Sequence, residues 1–181
     1  MALALSVGLA GCGGSKEPIA IEIEMENGGI IAAELYPDIA PKTVANFTKL
    51  IDESFFDGMI FHRVYPGFMI QGGGVTADGI AKEADSIKGE FKLNGFKNKL
   101  NHTRGVLSMA RTDDPNSASS QFFIMHEDAP FLDENYAAFG KVIDGMDVVD
   151  AIATTPNDQT EHGIAGRPVE DQIIKTIRRA Q

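Results

Sequence analysis

The sequence predicts an all-β barrel with helices plugging its ends, and three observations carry that prediction. Residues 19–26 alternate apolar and acidic side chains with period two, the mark of a half-buried strand. Nineteen glycines and eight prolines fall in scattered clusters along 181 residues, implying many turns and therefore many short strands. Only two segments space their apolar residues as a helix does. The length suits one domain with a substantial core.

Each element follows from its local pattern. Ile19–Glu26 is the first strand, and Asn27-Gly28-Gly29 is a hairpin turn whose residues tolerate positive φ. Ile30–Leu35 returns as its partner. Tyr36-Pro37-Asp38-Ile39-Ala40-Pro41 breaks the sheet, and Pro41 suits the first turn of a helix. Val44, Phe47, Leu50 and Ile51 then recur at helical spacing, so Pro41–Glu53 is amphipathic. Strands are expected at Met59–Val64, Met69–Gly72, Gly105–Ala110, Gln121–Met125 and Ala138–Asp144. Residues 75–98 form a long, charged, irregular connection. Met146, Val149 and Ile152 mark a second short helix, Met146–Ala153, and Val169–Ile177 reads as the closing strand.

Composition narrows the function. A formal net charge of -10 disfavours nucleic acid as a partner, because binding there is dominated by Lys and Arg contacts to phosphate. The single cysteine, Cys12, permits no intramolecular disulfide and no thiolate zinc site. The four histidines, His62, His102, His126 and His162, lack metal-ligand spacing, so neither a metal nor another cofactor is expected.

The N-terminus carries a separate signal. Residues 2–10 are small or apolar and end in Leu9-Ala10-Gly11-Cys12, which matches the bacterial lipobox. Cleavage before Cys12 would leave a lipidated cysteine, and residues 12–18 would tether residues 19–181 to a membrane. The run is shorter than a secretory signal and has no basic n-region. The placement of the only cysteine at the lipobox position decides for a lipoprotein, its domain outside the cytoplasm.

The richest stretch is Phe61-His62-Arg63-Val64-Tyr65-Pro66-Gly67-Phe68-Met69-Ile70-Gln71-Gly72-Gly73. It sets one cation, Arg63, among large apolar side chains and ends in an amide and a glycine run. A surface strand has no need of that mixture, whereas a site gripping an apolar ring beside a polar amide does. The stretch closely resembles the signature of the cyclophilins, the cyclosporin-binding peptidyl-prolyl isomerases. Other blocks resemble the same family in order: Pro41–Phe47, Gly105–Ala110, Asn116–Ile124, then Phe131-Leu132-Asp133 and Phe139–Val142.

The resemblance implies a mainly β fold, a closed eight-stranded antiparallel barrel capped by two α-helices, with the substrate groove on the barrel's outer face. It implies a monomer that isomerises X-Pro bonds in proline-containing polypeptides. Arg63 matches the catalytic arginine. Phe68, Met69, Phe123 and Leu132 match the apolar pocket for the proline ring. Gln71 and Gln121 match polar groove residues, and Ala110 with Arg111 matches the strand edge that holds the peptide backbone. Two positions depart from the best-studied eukaryotic pattern: Phe131 stands where those members carry tryptophan, and Tyr136 where they carry histidine. Phe131 has no indole N–H, so the implied cyclosporin binding is weakened, while Tyr136 still walls the pocket.

Strand parity agrees in part, since Met69 with Gln71 and Gln121 with Phe123 share a face. Phe122, Ile124, Phe139 and Val142 read as core. His62 reads as a structural residue holding neighbouring loops by a hydrogen bond. Two other functions compete: a module that binds proline segments with little turnover, and a barrel with a ligand in its lumen. Intact Arg63 favours catalysis over mere binding, and inward Phe and Ile leave no room in the lumen.

Overall fold

The computed structural model describes residues 16–159 and 166–180, so the lipobox and Cys12 lie outside the described residues. In chain order the elements are β1 (Ile19–Met25), β2 (Ile30–Leu35), α1 (Pro41–Asp52), β3 (Met59–Tyr65), β4 (Met69–Thr76), β5 (Val106–Met109), β6 (Phe122–Met125), β7 (Ala138–Asp144), α2 (Met146–Ala153) and β8 (Ile174–Arg179). The eight strands form one antiparallel sheet in the order β3-β4-β6-β5-β7-β2-β1-β8. Its edges, β3 and β8, meet through the Ile60–Ile173 bridge and through Gly58 and Phe61 N–H groups that donate to the Ile174 and Gln172 carbonyls. The barrel is therefore nearly closed, sealed at that seam by a few bonds rather than a full ladder.

Alternation along the strands sorts side chains into two apolar clusters. The inner one gathers Ile21, Ile23, Ile31, Leu35, Phe61, Ile70, Leu107, Phe122, Ile124 and Phe139, with Phe47 and Val44 of α1 and Val149 and Ile152 of α2. Phe47 sits 4.9–5.2 Å, centroid to centroid, from Phe56, Phe122 and Phe139, so aromatic rings fill the lumen and seat the helix. The outer cluster holds Met69, Val106, Phe123, Met125, Leu132 and Ala138, packed against Tyr65, Phe68, Ala110 and Tyr136. A strand with both faces covered gives a continuous apolar run, which is why Phe122-Phe123-Ile124-Met125 does not alternate.

Two elements differ from expectation. β4 runs on through its glycines to Thr76 rather than ending at Gly72. The closing strand starts five residues later than Val169 and extends to Arg179. Val169 is exposed, and its N–H donates to the Pro156 carbonyl, so residues 169–173 belong to a loop. Pairing with β1, which sets Ile23 opposite Ile177 and Ile21 opposite Arg179, decides the register. The polar end of β8 is held across the sheet, where Arg178 bonds Glu22 and Glu24 and Arg179 bonds Asp52.

The long connection after β4 is irregular but anchored. Its buried Glu90 caps α1, whose own cap position, Ala40, offers no side-chain oxygen. The Glu90 carboxylate accepts the Lys42 N–H at 3.0 Å, the Thr43 N–H at 2.8 Å and the Thr43 hydroxyl at 2.8 Å. These satisfy free donors at the positive end of the helix dipole. Asn98 ties the same segment to β7 by donating to the Glu90 and Ala138 carbonyls. Removing a carboxylate that holds buried donors costs about 1.5–3 kcal/mol. Glu90→Ala is therefore expected to lower unfolding free energy by about that amount in urea titrations, and an unchanged midpoint would refute the capping role.

Candidate active site

The site begins with a turn and a bulge. Tyr65-Pro66-Gly67-Phe68 closes the β3–β4 hairpin, with the Phe68 N–H donating to the Tyr65 carbonyl at 3.0 Å and Gly67 at φ +78°. Proline then glycine at the two central positions is the type II pattern, which requires positive φ at the second. Upstream, the β3–β4 pairing shifts by one residue: Phe61 lies opposite Gly72, but Arg63 lies opposite Gln71. His62 is the extra residue. Were His62 paired as in a regular strand, Phe61 and Arg63 would share a face. With His62 bulged, Phe61 enters the inner core and Arg63 emerges on the outer face.

Register then carries a row of side chains across the sheet. Arg63 lies opposite Gln71, Gln71 opposite Phe123, and Phe123 opposite Ser108. Arg63 Nη1 donates to Gln71 Oε1 at 3.3 Å, and Gln71 Nε2 donates to Gln121 Oε1 at 2.9 Å. Gly74 leaves the room that the Gln121 side chain takes over the strand. A Cβ there would stand 2.6 Å from the Gln121 side chain.

Above this row lies an open groove of about 300 Å³, lined by Arg63, Phe68, Met69, Gln71, Ala110, Arg111, Phe123, Phe131, Leu132 and Tyr136. Thus every site residue expected from the sequence lines one groove except Gln121. That residue lines the adjoining depression of about 340 Å³, beyond the ridge of Gln71, Ala110 and Arg111. The groove floor is apolar: Met69, Phe123 and Leu132 are buried. Phe68 stacks on Phe131 at 5.7 Å, and Tyr136 meets Phe123 edge-on at 5.8 Å. Phe131 is 68% exposed and forms the rim.

Arg111 lines the groove beside Ala110 with its side chain already engaged. Its Nε donates to the Asn135 carbonyl and Nη1 to the Thr112 carbonyl, and the guanidinium lies 4.8 Å from the Tyr136 ring and 5.1 Å from Phe91. Its side chain is committed to the protein and fixes Tyr136 by cation–π contact. Arg63, in contrast, is exposed, and among the described residues its one hydrogen bond is to an amide rather than a carboxylate. Its charge faces no carboxylate among the described residues.

Sequence reasoning missed what stands behind the pocket. His102 is buried under Phe123, their rings stacked at 6.1 Å. Its Nδ1 is 3.0 Å from Asp133 and its Nε2 2.9 Å from the Ser108 hydroxyl. Serine, histidine and aspartate in line suggest a nucleophile, but Ser108 is fully buried and no substrate can reach it. The signal that could have found it is parity: Ser108 is polar between inward Leu107 and Met109, and so must face outward under the groove. His62 also departs from expectation. Its buried Nδ1 makes no well-formed hydrogen bond among the described residues, so the expected bond to neighbouring loops is not made through that atom.

Burial pushes both imidazoles below the ordinary histidine value, for His102 by more than the Asp133 carboxylate raises it. An imidazole harder to protonate when folded leaves the unfolded chain binding more protons. Stability is then full above the unfolded histidine value of about 6.5 and falls as pH drops through it. The lowered carboxylates, Glu24, Asp52 and Asp150, lose their contributions only at lower pH, beginning near their ordinary values of 4.5 and 3.8. Urea midpoints are expected to fall between about pH 7.5 and 5.5. A flat profile would mean that neither imidazole is held neutral.

Comparison with known proteins places this geometry in a family. Residues 20–179 match the family model described as cyclophilin type peptidyl-prolyl cis-trans isomerase/CLD. A probable peptidyl-prolyl cis-trans isomerase of Brucella suis is 40% identical over 185 aligned positions, covering 96% of this chain and 89% of that protein. A peptidyl-prolyl cis-trans isomerase of Acinetobacter baylyi is 50% identical, covering 74% of this chain and 72% of its own. Among solved structures, a cyclophilin type peptidyl-prolyl cis-trans isomerase from Cryptosporidium parvum matches with a TM-score of 0.76 and 29% identity, covering 91% of this chain and 99% of that one. A structure of the same description, determined in the presence of the dipeptide Ala-Pro, matches with a TM-score of 0.74, 30% identity and coverage of 90% and 99%.

Proposed function

The chain belongs to the cyclophilin-type peptidyl-prolyl cis-trans isomerases, and from that premise we propose that the outer groove catalyses X-Pro rotation with Arg63 as its catalytic residue. The observation that carries the proposal is a cation free of carboxylate partners, set by a bulge beside an open groove whose floor of Met69, Phe123 and Leu132 is apolar and buried.

Rotation about an X-Pro bond must break amide resonance, with a barrier of about 18–20 kcal/mol and a time of tens to hundreds of seconds. No covalent step is needed. As the bond twists, the prolyl nitrogen pyramidalises and gains a lone pair. A guanidinium aimed at that nitrogen binds the twisted state more strongly than either planar isomer, which is the condition for catalysis. Arginine suits the part because it stays charged and presents several donors in a rigid fork.

Reaching milliseconds takes roughly 10⁴–10⁵-fold, about 5.5–7 kcal/mol. One charge-assisted hydrogen bond supplies about 1.5–3 kcal/mol, so Arg63 alone falls short. The pocket of Phe68, Met69, Phe123, Leu132 and Tyr136 supplies the remainder by fixing the ring, with the strand edge at Ala110 holding the flanking backbone. Gln71 holds Arg63 in place through its amide oxygen. The substrates are proline-containing polypeptides, a reading supported by the Ala-Pro used with the Cryptosporidium relative. Cyclosporin is a weakened ligand, because Phe131 offers no donor at the rim.

The domain works outside the cytoplasm, held to a bacterial membrane by lipid on Cys12. The lipobox spelling of residues 9–12 and the single cysteine support this. Two acyl chains suffice for stable anchoring.

Arg63→Ala is expected to lower kcat/KM for a short X-Pro peptide by well over tenfold while the circular-dichroism spectrum is kept. An active variant would remove Arg63 from the mechanism. Acceleration absent from the unaltered protein at micromolar concentration would favour the binding-module reading instead. Cys12→Ala should move the protein from the membrane to the soluble fraction, and unchanged membrane association would refute lipidation there.

A further inference from the structure

The turn that carries Phe68 is clamped from outside the hairpin. His126, directly after β6, contacts it twice: its backbone N–H donates to the Phe68 carbonyl at 2.9 Å, and its Nδ1 accepts the Gly67 N–H at 2.9 Å. In a type II turn the peptide N–H of the glycine points away from the hairpin and has no partner within it. Here an imidazole takes it.

The other side of the ring is also built. Nε2 lies 3.3 Å from Asp150 Oδ1 on α2, a buried oxygen that forms no hydrogen bond among the described residues. Asp150 Oδ2 is occupied by Arg104 Nη2 at 2.8 Å, and Arg104 Nη1 donates to the His126 carbonyl at 2.6 Å. Arg104 holds the Asp150 carboxyl below the usual carboxylate range. The charged groups around the imidazole are therefore Asp150 from α2, Arg104 from the segment before β5, and Glu127, 3.9 Å from Arg104. A backbone N–H can only donate, so Nδ1 must carry no proton and the neutral ring carries its proton on Nε2, facing Asp150.

We infer that His126 is a positioning residue for the isomerase reaction, holding the Gly67–Phe68 turn, and with it the Phe68–Met69 wall of the proline pocket, only while its imidazole is neutral. The inference rests on the isomerase reading of the groove. Protonation would set an Nδ1–H against the Gly67 N–H, two donors face to face, and the clamp would open. Asp150, with an oxygen free, stands ready to hold the resulting charge. Phe68 stacks on Phe131 and meets Tyr65 edge-on, so movement of the turn reaches both the wall and the rim of the pocket. Loosening one wall weakens the hold on the ring in the planar states as well as in the twisted one, so KM rises and takes the larger share of the loss, with kcat falling less.

The test uses His126→Ala and His126→Asn. The asparagine keeps an acceptor near the Nδ1 position but cannot titrate. With an uncharged X-Pro peptide at neutral pH, His126→Ala is expected to lower kcat/KM roughly five- to tenfold, mainly through KM, and His126→Asn to restore most of it. On acidification the unaltered protein should lose affinity and His126→Asn should lose much less. Amide exchange at Gly67, followed by NMR, reports the clamp without reference to activity. Its protection, taken relative to the intrinsic base-catalysed exchange rate at each pH, should fall on acidification in the unaltered protein and be low at all pH values in His126→Ala. Should the unaltered protein show no turnover, the isomerase reading fails, and Gly67 exchange with peptide affinity still judges the clamp. His126→Ala within twofold of the unaltered protein, His126→Asn no better than alanine, or the same acid response in His126→Asn would each overturn the inference.

Discussion

One extra residue in β3 decides where the charge of this protein goes. Strand geometry would send Phe61 and Arg63 to the same side, and either placement would be costly. Inward, Arg63 would lose its water inside a lumen packed with Phe47, Phe122 and Phe139. Outward, Phe61 would leave that lumen and open a cavity. The bulge at His62 resolves the conflict by reversing the parity between them, at the cost of a locally broken ladder. The row of Arg63, Gln71, Phe123 and Ser108 across four strands exists because the register resumes correctly after it.

The groove is the surface of a second, smaller core rather than an opening in the first. The sheet separates an inner cluster, which stabilises the barrel, from an outer one, which shapes the pocket. Polar groups brace the outer cluster from behind. His102 supports Phe123, Arg111 supports Tyr136, and His126 holds the turn before Met69. A pocket of this kind needs its walls fixed to within a fraction of an ångström, and apolar contact alone lets side chains slide. Hydrogen bonds and cation–π contacts have directions, so they lock orientation where packing only fills space. The acidic surface does not reach the row itself, where Arg63 faces the amide of Gln71. On the proposed mechanism, a twisted state that develops a lone pair would meet there a charge with no competing anion.

Much of this was legible in residue order. The alternation in β1, the hairpin at Asn27-Gly28-Gly29 and the spacing in α1 and α2 are local, and the structure keeps them within one residue. The start of β8 was not, because its limits are set by what β1 offers across the sheet. The Glu90 cap was hidden for a similar reason: donor and acceptor stand 47 positions apart, and neither carries a mark of the other. Arg111 was placed at the right edge, yet its side chain turned out to be engaged with Asn135, Phe91 and Tyr136.

The sequence by itself determined the inventory. It supplied one cation, Arg63, among large apolar residues and beside an amide, with a Pro66-Gly67 pair between two strand-like segments. These are properties of residue type, period and spacing, and they survive any arrangement of the remainder. Tertiary structure alone decided that Arg63 faces out while Phe61 faces in, that Gln121 lies beyond the ridge, and that His102 and His126 stand behind the walls. Parity after a bulge, register between strands and contacts across dozens of residues depend on where the partner chain lies. Local periodicity carries no information about that.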